Sequence, residues 1–332
     1  MKTLVLNAQA VAECLSWPVL QAAMADALTR LARGDALQPL RQVLAFPGGA
    51  LGVMPGILGA GDAVGVKAIV VGPDHHRWGT DSHPGAVLLF DAPSGRLLAL
   101  ADATAVTALR TAAVSALATD RLARADASVL GLLGSGVQAA SHLAALRTVR
   151  SLSRVLAWSP NPDHLADFAA RMERRHGLPV EAAASAEAVV TRADILCTVT
   201  TSSTPVLAGS WLRPGVHINA VGASRPPARE LDAEAVARCR LVVDRRASAF
   251  AEAVEVMEAR DRGRLEPDQV AELGEVLAGL APGRRSASEI TVFRSLGLAV
   301  EDVAAAATAY HEAVRRHLGV WVELGGEPFD PA

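Results

Sequence analysis

Apolar side chains recur at helical spacing across residues 8–33. Val11, Leu15, Val19, Ala22, Ala23, Leu28 and Leu31 share a face, and Gly34 supplies a stop. Residues 39–100 change period. The apolar runs 42–46, 51–54, 63–71 and 86–91 are punctuated by Gly and Pro, which predicts strands. Asp91-Ala-Pro-Ser-Gly95 has the composition of a turn and joins 87–90 to 97–101 as a hairpin. An Ala-rich helix follows over 103–122, with Asp102 placed to cap it.

From Ser128 the texture changes again. Short apolar strands at 129–133, 155–158, 195–199, 216–221 and 241–244 alternate with helical stretches at 137–148, 163–176 and 233–239. Alternation at this spacing builds βαβ units and a parallel sheet covered on both faces. A last long helix spans 300–318, and the Gly- and Pro-containing tail 325–332 reads as loose. The fold class expected is α/β: a doubly wound Rossmann sheet beside an α+β domain.

Composition narrows the function classes. The 332 residues suit two domains, and 51% hydrophobic residues supply a sizeable core. Charged residues make up 20%, and the net charge is -3. A nucleic-acid binder shows a basic excess or stripe, and neither is present. The pairs Arg174-Arg175, Arg245-Arg246, Arg284-Arg285 and Arg315-Arg316 are scattered, with acids beside most of them, as on solvated helix faces. Cys14, Cys197 and Cys239 are odd in number and lack metal-ligand spacing, which argues for a reducing compartment and against a metal site. The first residues lack the apolar stretch of a signal peptide, and no run reaches about 18 unbroken apolar residues. The expectation is a cytoplasmic protein with no membrane or nucleic-acid partner.

The strand at 129–133 runs into Gly134-Ser135-Gly136-Val137-Gln138-Ala139 and then a helix, a G-x-G-x-x-A loop in its proper context. Gly134 permits the turn, Gly136 leaves room for a pyrophosphate, and Ala139 lets helix and strand pack closely. The helix N-terminus offers free N–H groups to the phosphates. The loop therefore points to NAD or NADP. A carboxylate at the end of the second strand would favour NAD, but that segment reads Trp158-Ser159-Pro160-Asn161, with no acid before Asp163 and no arginine. Ser159 and Asn161 can bond a hydroxyl or a phosphate, and the missing negative charge favours NADP.

Three further residues carry chemistry. Arg110 lies inside an apolar helix and needs a partner; a guanidinium fork suits a substrate carboxylate, and an internal salt bridge is the alternative. Lys67 interrupts the apolar run 63–71. Buried, its pKa would fall and it could act as acid or base; facing out, it would simply be solvated. His83, in Gly79-Thr-Asp-Ser-His-Pro-Gly85, can relay a proton or serve only as a turn residue.

Taken together, the chain resembles the ornithine cyclodeaminase/mu-crystallin family. The resemblance covers most of the chain. It runs through Pro39-Leu-Arg41, Gly65-Val-Lys67, Ser82-His83, Ala101-Asp-Ala-Thr-Ala-Val-Thr-Ala-Leu-Arg110-Thr111, the glycine loop with Gln138, Ile218-Asn-Ala-Val-Gly222-Ala-Ser224-Arg-Pro, Ala271-Glu272-Leu-Gly-Glu-Val and Thr291-Val-Phe-Arg-Ser295. It implies a homodimer, with a substrate-binding and dimerisation domain at 1–122 and 300–332 and a Rossmann NAD(P)-binding domain at 123–299. It also implies catalytic roles for Lys67, Arg41, Arg110 and His83, and substrate contacts from Arg41, Lys67, Arg110, Ser224 and Glu272. Thr111, Gly134, Ser135, Gly136, Val137, Gln138, Ser159, Asn161, Thr200, Val221, Gly222 and Ser295 would face the cofactor.

The family's cyclodeaminases carry an aspartate where this chain has Ser224, and a serine cannot serve as that base. The resemblance is therefore closer to the ketimine-reducing members. The small-molecule substrate expected is a cyclic imine carboxylate, Δ1-pyrroline-2-carboxylate or Δ1-piperideine-2-carboxylate, reduced to L-proline or L-pipecolate. An alanine dehydrogenase-type activity, a residual ornithine cyclodeaminase and a non-catalytic ligand-binding protein are the alternatives. The joint presence of Lys67, Arg110 and the glycine loop speaks against the last.

Overall fold

The computed structural model describes residues 2–59, 62–72, 84–224 and 226–324. The chain divides into two compact units, Met1–Arg110 with Leu298–Ala332, and Thr111–Gly297. The boundary falls inside the helix Ala103–Leu122. The Asp102 carboxylate caps this helix, accepting the Ala105 N–H at 2.7 Å.

The first unit is built on a seven-stranded sheet in the order Val320–Glu323, Lys2–Leu6, Leu97–Asp102, Gly85–Asp91, Ala63–Val71, Gly49–Ile57, Gln42–Phe46. Neighbours are antiparallel except Lys2–Leu6 beside Leu97–Asp102. The Asp91–Gly95 turn closes with the Gly95 N–H on the Asp91 carbonyl at 2.8 Å, and Gly95 takes φ 69°. Helix Ala299–Arg316 packs on this sheet. Gly65 makes the approach possible: a Cβ there would sit 2.9 Å from the Val303 side chain and 2.7 Å from the Leu88 carbonyl.

The single helix expected over 8–33 is two helices, Ala8–Cys14 and Trp17–Arg33. Pro18 is the reason. In one continuous helix it would lack an N–H for the Cys14 carbonyl and its ring would clash there. In the first turn of a new helix neither penalty arises. Gly34 ends the second helix in the left-handed conformation, φ 83°.

The second unit holds an eight-stranded sheet, parallel throughout, in the order Ala271–Glu272, Arg240–Val243, Thr291–Arg294, His217–Ala220, Ile195–Thr198, Val129–Leu133, Arg154–Trp158, Val180–Ala182. Chain order runs outward from Val129–Leu133 in one direction and then resumes at Ile195–Thr198 on its other side. That reversal is the mark of the doubly wound Rossmann sheet, and ligands bind outside the carboxyl ends of the strands that flank it. Leu130, Leu132, Leu133, Ile195, Leu196 and Cys197 are fully buried, as strands covered on both faces require. Among the described residues no helix is long and apolar enough to cross a membrane.

Candidate active site

Within the first unit, four buried charged side chains meet. Strand Ala63–Val71 carries Lys67, helix Ala103–Leu122 carries Arg110, and the first turn of helix Ala299–Arg316 carries Glu301 and Asp302. Lys67 Nζ lies 2.7 Å from Asp302 Oδ2, and Lys67 donates to Thr107 Oγ1 at 3.4 Å. Arg110 donates through Nε to Asp302 Oδ1 at 2.9 Å and through Nη1 to Glu301 Oε2 at 2.8 Å. Glu301 Oε2 also accepts the Leu298 N–H at 3.3 Å. The two carboxylates sit where the helix dipole favours negative charge.

The electrostatics follow from burial and neighbours. Lys67 is 2% exposed, and burial drives its pKa down to about 8, with Asp302 opposing that fall and Arg110 and Arg41 adding to it. Burial raises the Asp302 carboxyl, but Arg110 and Lys67 together outweigh it and hold the group below the usual carboxylate range. Lys67 is thus a desolvated amine able to exchange a proton near neutrality. Arg41, half-buried, is a further cation acting on it. His83 lies outside the described residues.

Of the two readings of Arg110, a substrate carboxylate or an internal salt bridge, the ion pair is present: its buried charge has intramolecular partners. A cation inside an apolar helix must be paired, and Glu301 and Asp302 do this. Sequence reasoning missed both acids. The available signal was an acidic pair heading a helix otherwise rich in alanine.

In the second unit, the glycine loop leaves Val129–Leu133 at Gly134, whose N–H bonds the Trp158 carbonyl at 2.8 Å. Gly134 has φ 124°, and a Cβ there would be 2.7 Å from the Val199 carbonyl, so the turn admits only glycine. At Gly136 a Cβ would meet nothing within 4 Å, and Gly136 caps helix Val137–Leu146 without a side-chain bond. Val137 is half exposed. Ser135 Oγ is 2.8 Å from His164 Nδ1. Asn161 Oδ1 caps the helix Pro162–His176 through the His164 N–H at 3.0 Å, and half-buried Ser159 precedes it.

Behind this loop stands Glu230, buried and unforeseen. It accepts the Thr200 N–H at 2.6 Å, the Thr200 hydroxyl at 2.8 Å, the Thr198 hydroxyl at 2.8 Å and the Gly222 N–H at 2.7 Å. Burial raises its pKa, and these bonds oppose the rise. One side chain thereby ties the loops that follow two adjacent strands. Nothing local in the sequence marks it. Arg294 braces the next turn, donating to the Ala220 carbonyl at 3.1 Å and to the Ala223 carbonyl, with Glu255 as its buried counter-ion at 2.5 Å. Val221, Gly222 and Ser224 lie along that turn.

Three of the expected cofactor residues, Thr111, Gln138 and Ser295, each hold a buried side-chain oxygen with no hydrogen-bond partner among the described residues. Such atoms are costly unless something pairs with them. Together with the open space at Gly136 and the bare helix N-terminus, they fit a dinucleotide. Glu272 is committed within the second unit: it caps helix Leu273–Leu277, accepts the Arg246 N–H at 2.9 Å and pairs with Arg245 at 2.9 Å. No cluster of His, Cys, Asp or Glu able to hold a metal occurs among the described residues.

Residues 1–317 match the model of the ornithine cyclodeaminase/mu-crystallin family. The ketimine reductase mu-crystallin of Mus musculus is 41% identical over 295 residues, 88% of this chain and 90% of the relative. A solved structure of Thermococcus litoralis Δ1-pyrroline-2-carboxylate reductase in complex with NADH and L-proline is 34% identical, covers 96% of this chain and 99% of its own, and gives a TM-score of 0.92. An archaeal alanine dehydrogenase dimer with bound NAD is 35% identical, covers 98% of this chain and 100% of its own, and gives a TM-score of 0.91.

Proposed function

The chain belongs to the ornithine cyclodeaminase/mu-crystallin family, and from that premise we propose that it is an NAD(P)H-dependent reductase of a cyclic imine carboxylate. The substrates proposed are Δ1-pyrroline-2-carboxylate and Δ1-piperideine-2-carboxylate, and the products L-proline and L-pipecolate. The observation that carries the reading is Lys67, a buried amine near pKa 8 set among Arg110, Arg41 and Asp302. Such a group holds a proton at neutrality and can share it with an imine nitrogen.

The dinucleotide supplies hydride when bound. Thr111, Gly134, Ser135, Gly136, Val137, Gln138, Ser159, Asn161, Thr200, Val221, Gly222 and Ser295 would hold it, with NADP preferred because no carboxylate follows Trp158 before Asp163. Arg41 takes the substrate carboxylate, with Arg110 behind it, its charge shared by Glu301 and Asp302. Lys67 keeps the imine nitrogen protonated, which makes the adjacent carbon electrophilic. His83 and Ser224 are proposed as further polar contacts. Glu272 is left out because its carboxylate is already committed.

Similarity to the archaeal alanine dehydrogenase favours a second reading, the same chemistry on an imine formed from pyruvate and ammonia. We propose a homodimer for the same reason; light scattering on the purified protein tests it. The assay for function is NADPH and NADH oxidation with each cyclic imine, with pyruvate plus ammonia, and proline formation from ornithine with NAD. Imine-dependent oxidation is expected, with negligible proline from ornithine because Ser224 cannot replace a carboxylate base. Robust proline and ammonia release from ornithine would overturn the reading.

A further inference from the structure

We infer that Asp302 is a positioning residue for imine reduction, holding the Lys67 ammonium in its charged state and fixing its direction. The inference rests on the reading of Lys67 as the acid.

The geometry is specific. Each Asp302 oxygen faces a different cation, Oδ2 toward Lys67 Nζ at 2.7 Å and Oδ1 toward Arg110 Nε at 2.9 Å. Both Lys67 and Asp302 are essentially sealed from solvent, so water cannot stand in for either partner. Among the described residues, the polar and charged groups around Lys67 are Thr107 and Arg110 from one helix, Asp302 from another with Glu301 beside it on Arg110, and Arg41 from the segment before strand Gln42–Phe46. Burial, Arg110 and Arg41 all favour the neutral amine. Asp302 supplies the opposing charge. Its place in the first turn of helix Ala299–Arg316 stabilises the anion. Without that charge Lys67 would lose its proton within the neutral range and would have the Thr107 hydroxyl left to orient it.

Glu301 provides the internal comparison. It is equally buried and pairs with the same arginine, bonding Arg110 Nη1 and the Leu298 N–H, while the contact at 2.7 Å to Lys67 belongs to Asp302. A merely structural role for the acidic pair predicts the same outcome for both residues.

The experiment is the pH dependence of kcat/KM for the cyclic imine in the parent, Asp302→Asn, Glu301→Gln and Lys67→Arg, with NADPH affinity measured alongside. The parent should lose activity as pH rises through about 8, and Lys67→Arg should lack that basic limb. A limb that persists in Lys67→Arg overturns the acid assignment itself. If that assignment stands, Asp302→Asn should move the limb down by at least about one unit, while Glu301→Gln leaves it in place. NADPH affinity in Asp302→Asn should stay within about twofold of the parent. An unmoved limb in folded Asp302→Asn, or equal shifts in both acid variants, overturns the inference. Should Asp302→Asn fail to fold, Asp302→Glu carries the test. Its charge is kept and its reach altered, so the limb should hold while kcat falls at least about tenfold. Parental kcat, or a displaced limb, overturns the inference.

Discussion

Glu230 Oε2 accepts the backbone N–H of Gly222 at 2.7 Å, joining the turn after His217–Ala220 to the end of Ile195–Thr198, where its other oxygen holds Thr200. Glu230→Gln replaces one acceptor with a donor that faces donors. We expect NADPH affinity to fall at least about tenfold, while KM for the imine changes less, because unmade buried hydrogen bonds cost about 1–3 kcal/mol each. Fluorescence titration with NADPH measures it. Unchanged affinity in a folded variant would show that the two turns hold their shape without this carboxylate.

The two glycines of the loop should fail differently. At Gly136 an added Cβ meets open space, so Gly136→Val should melt like the parent yet bind NADPH at least about 100-fold more weakly. At Gly134, φ 124° and the Val199 carbonyl oppose any side chain, so Gly134→Ala should cost about 1–3 kcal/mol of stability before any cofactor is added. Thermal melts of the two variants without cofactor separate the cases. Equal melting temperatures for Gly134→Ala and parent would contradict the assignment of strain.

Arg110→Ala removes a cation shared by two buried carboxylates, Glu301 and Asp302, and leaves Asp302 with Lys67. Removing one partner from a buried ion pair costs about 3–5 kcal/mol. The variant should therefore lose stability as well as imine turnover, where a residue serving the substrate alone would affect turnover only. Chemical denaturation alongside kinetics decides it, and parental stability would mean that Glu301 and Asp302 have other means of compensation.

Burial lowers the His142 pKa to about 4, the Gln138 carbonyl opposing the fall only partly. Between pH 6.5 and 4 the unfolded chain takes up a proton at this position and the folded chain does not. The stability from neutral His142 is therefore complete above about pH 6.5 and declines as pH falls toward 4, by about 1.4 kcal/mol at pH 5.5. The parent should lose that much more than His142→Asn between pH 7.5 and 5.5. Equal losses, read by denaturation at both pH values, would place the proton uptake elsewhere.

Much of this protein is local and was legible as such. The strand–helix alternation after Ser128, the glycine loop, the Asp102 cap, the Gly34 stop and the Asp91–Gly95 turn depend on side chains within a few residues of one another. Periodicity and turn chemistry express short-range forces, so the sequence alone determined them. It also determined that Lys67 and Arg110 are charges set in apolar elements.

Tertiary structure decided their partners. Asp302 reaches Lys67, and Glu301 reaches Arg110, because the last helix packs over a sheet six of whose seven strands come from the first third of the chain. Strands Lys2–Leu6 and Val320–Glu323 escaped the sequence for the same reason: each pairs with strands far away along the chain, Lys2–Leu6 with Leu97–Asp102 and Val320–Glu323 with Lys2–Leu6. Glu230 is invisible locally because its bonds go to residues up to 32 positions away. A buried charge announces in sequence that it needs compensation; which residue compensates it depends on which surfaces pack, and packing is settled only when distant apolar faces find one another.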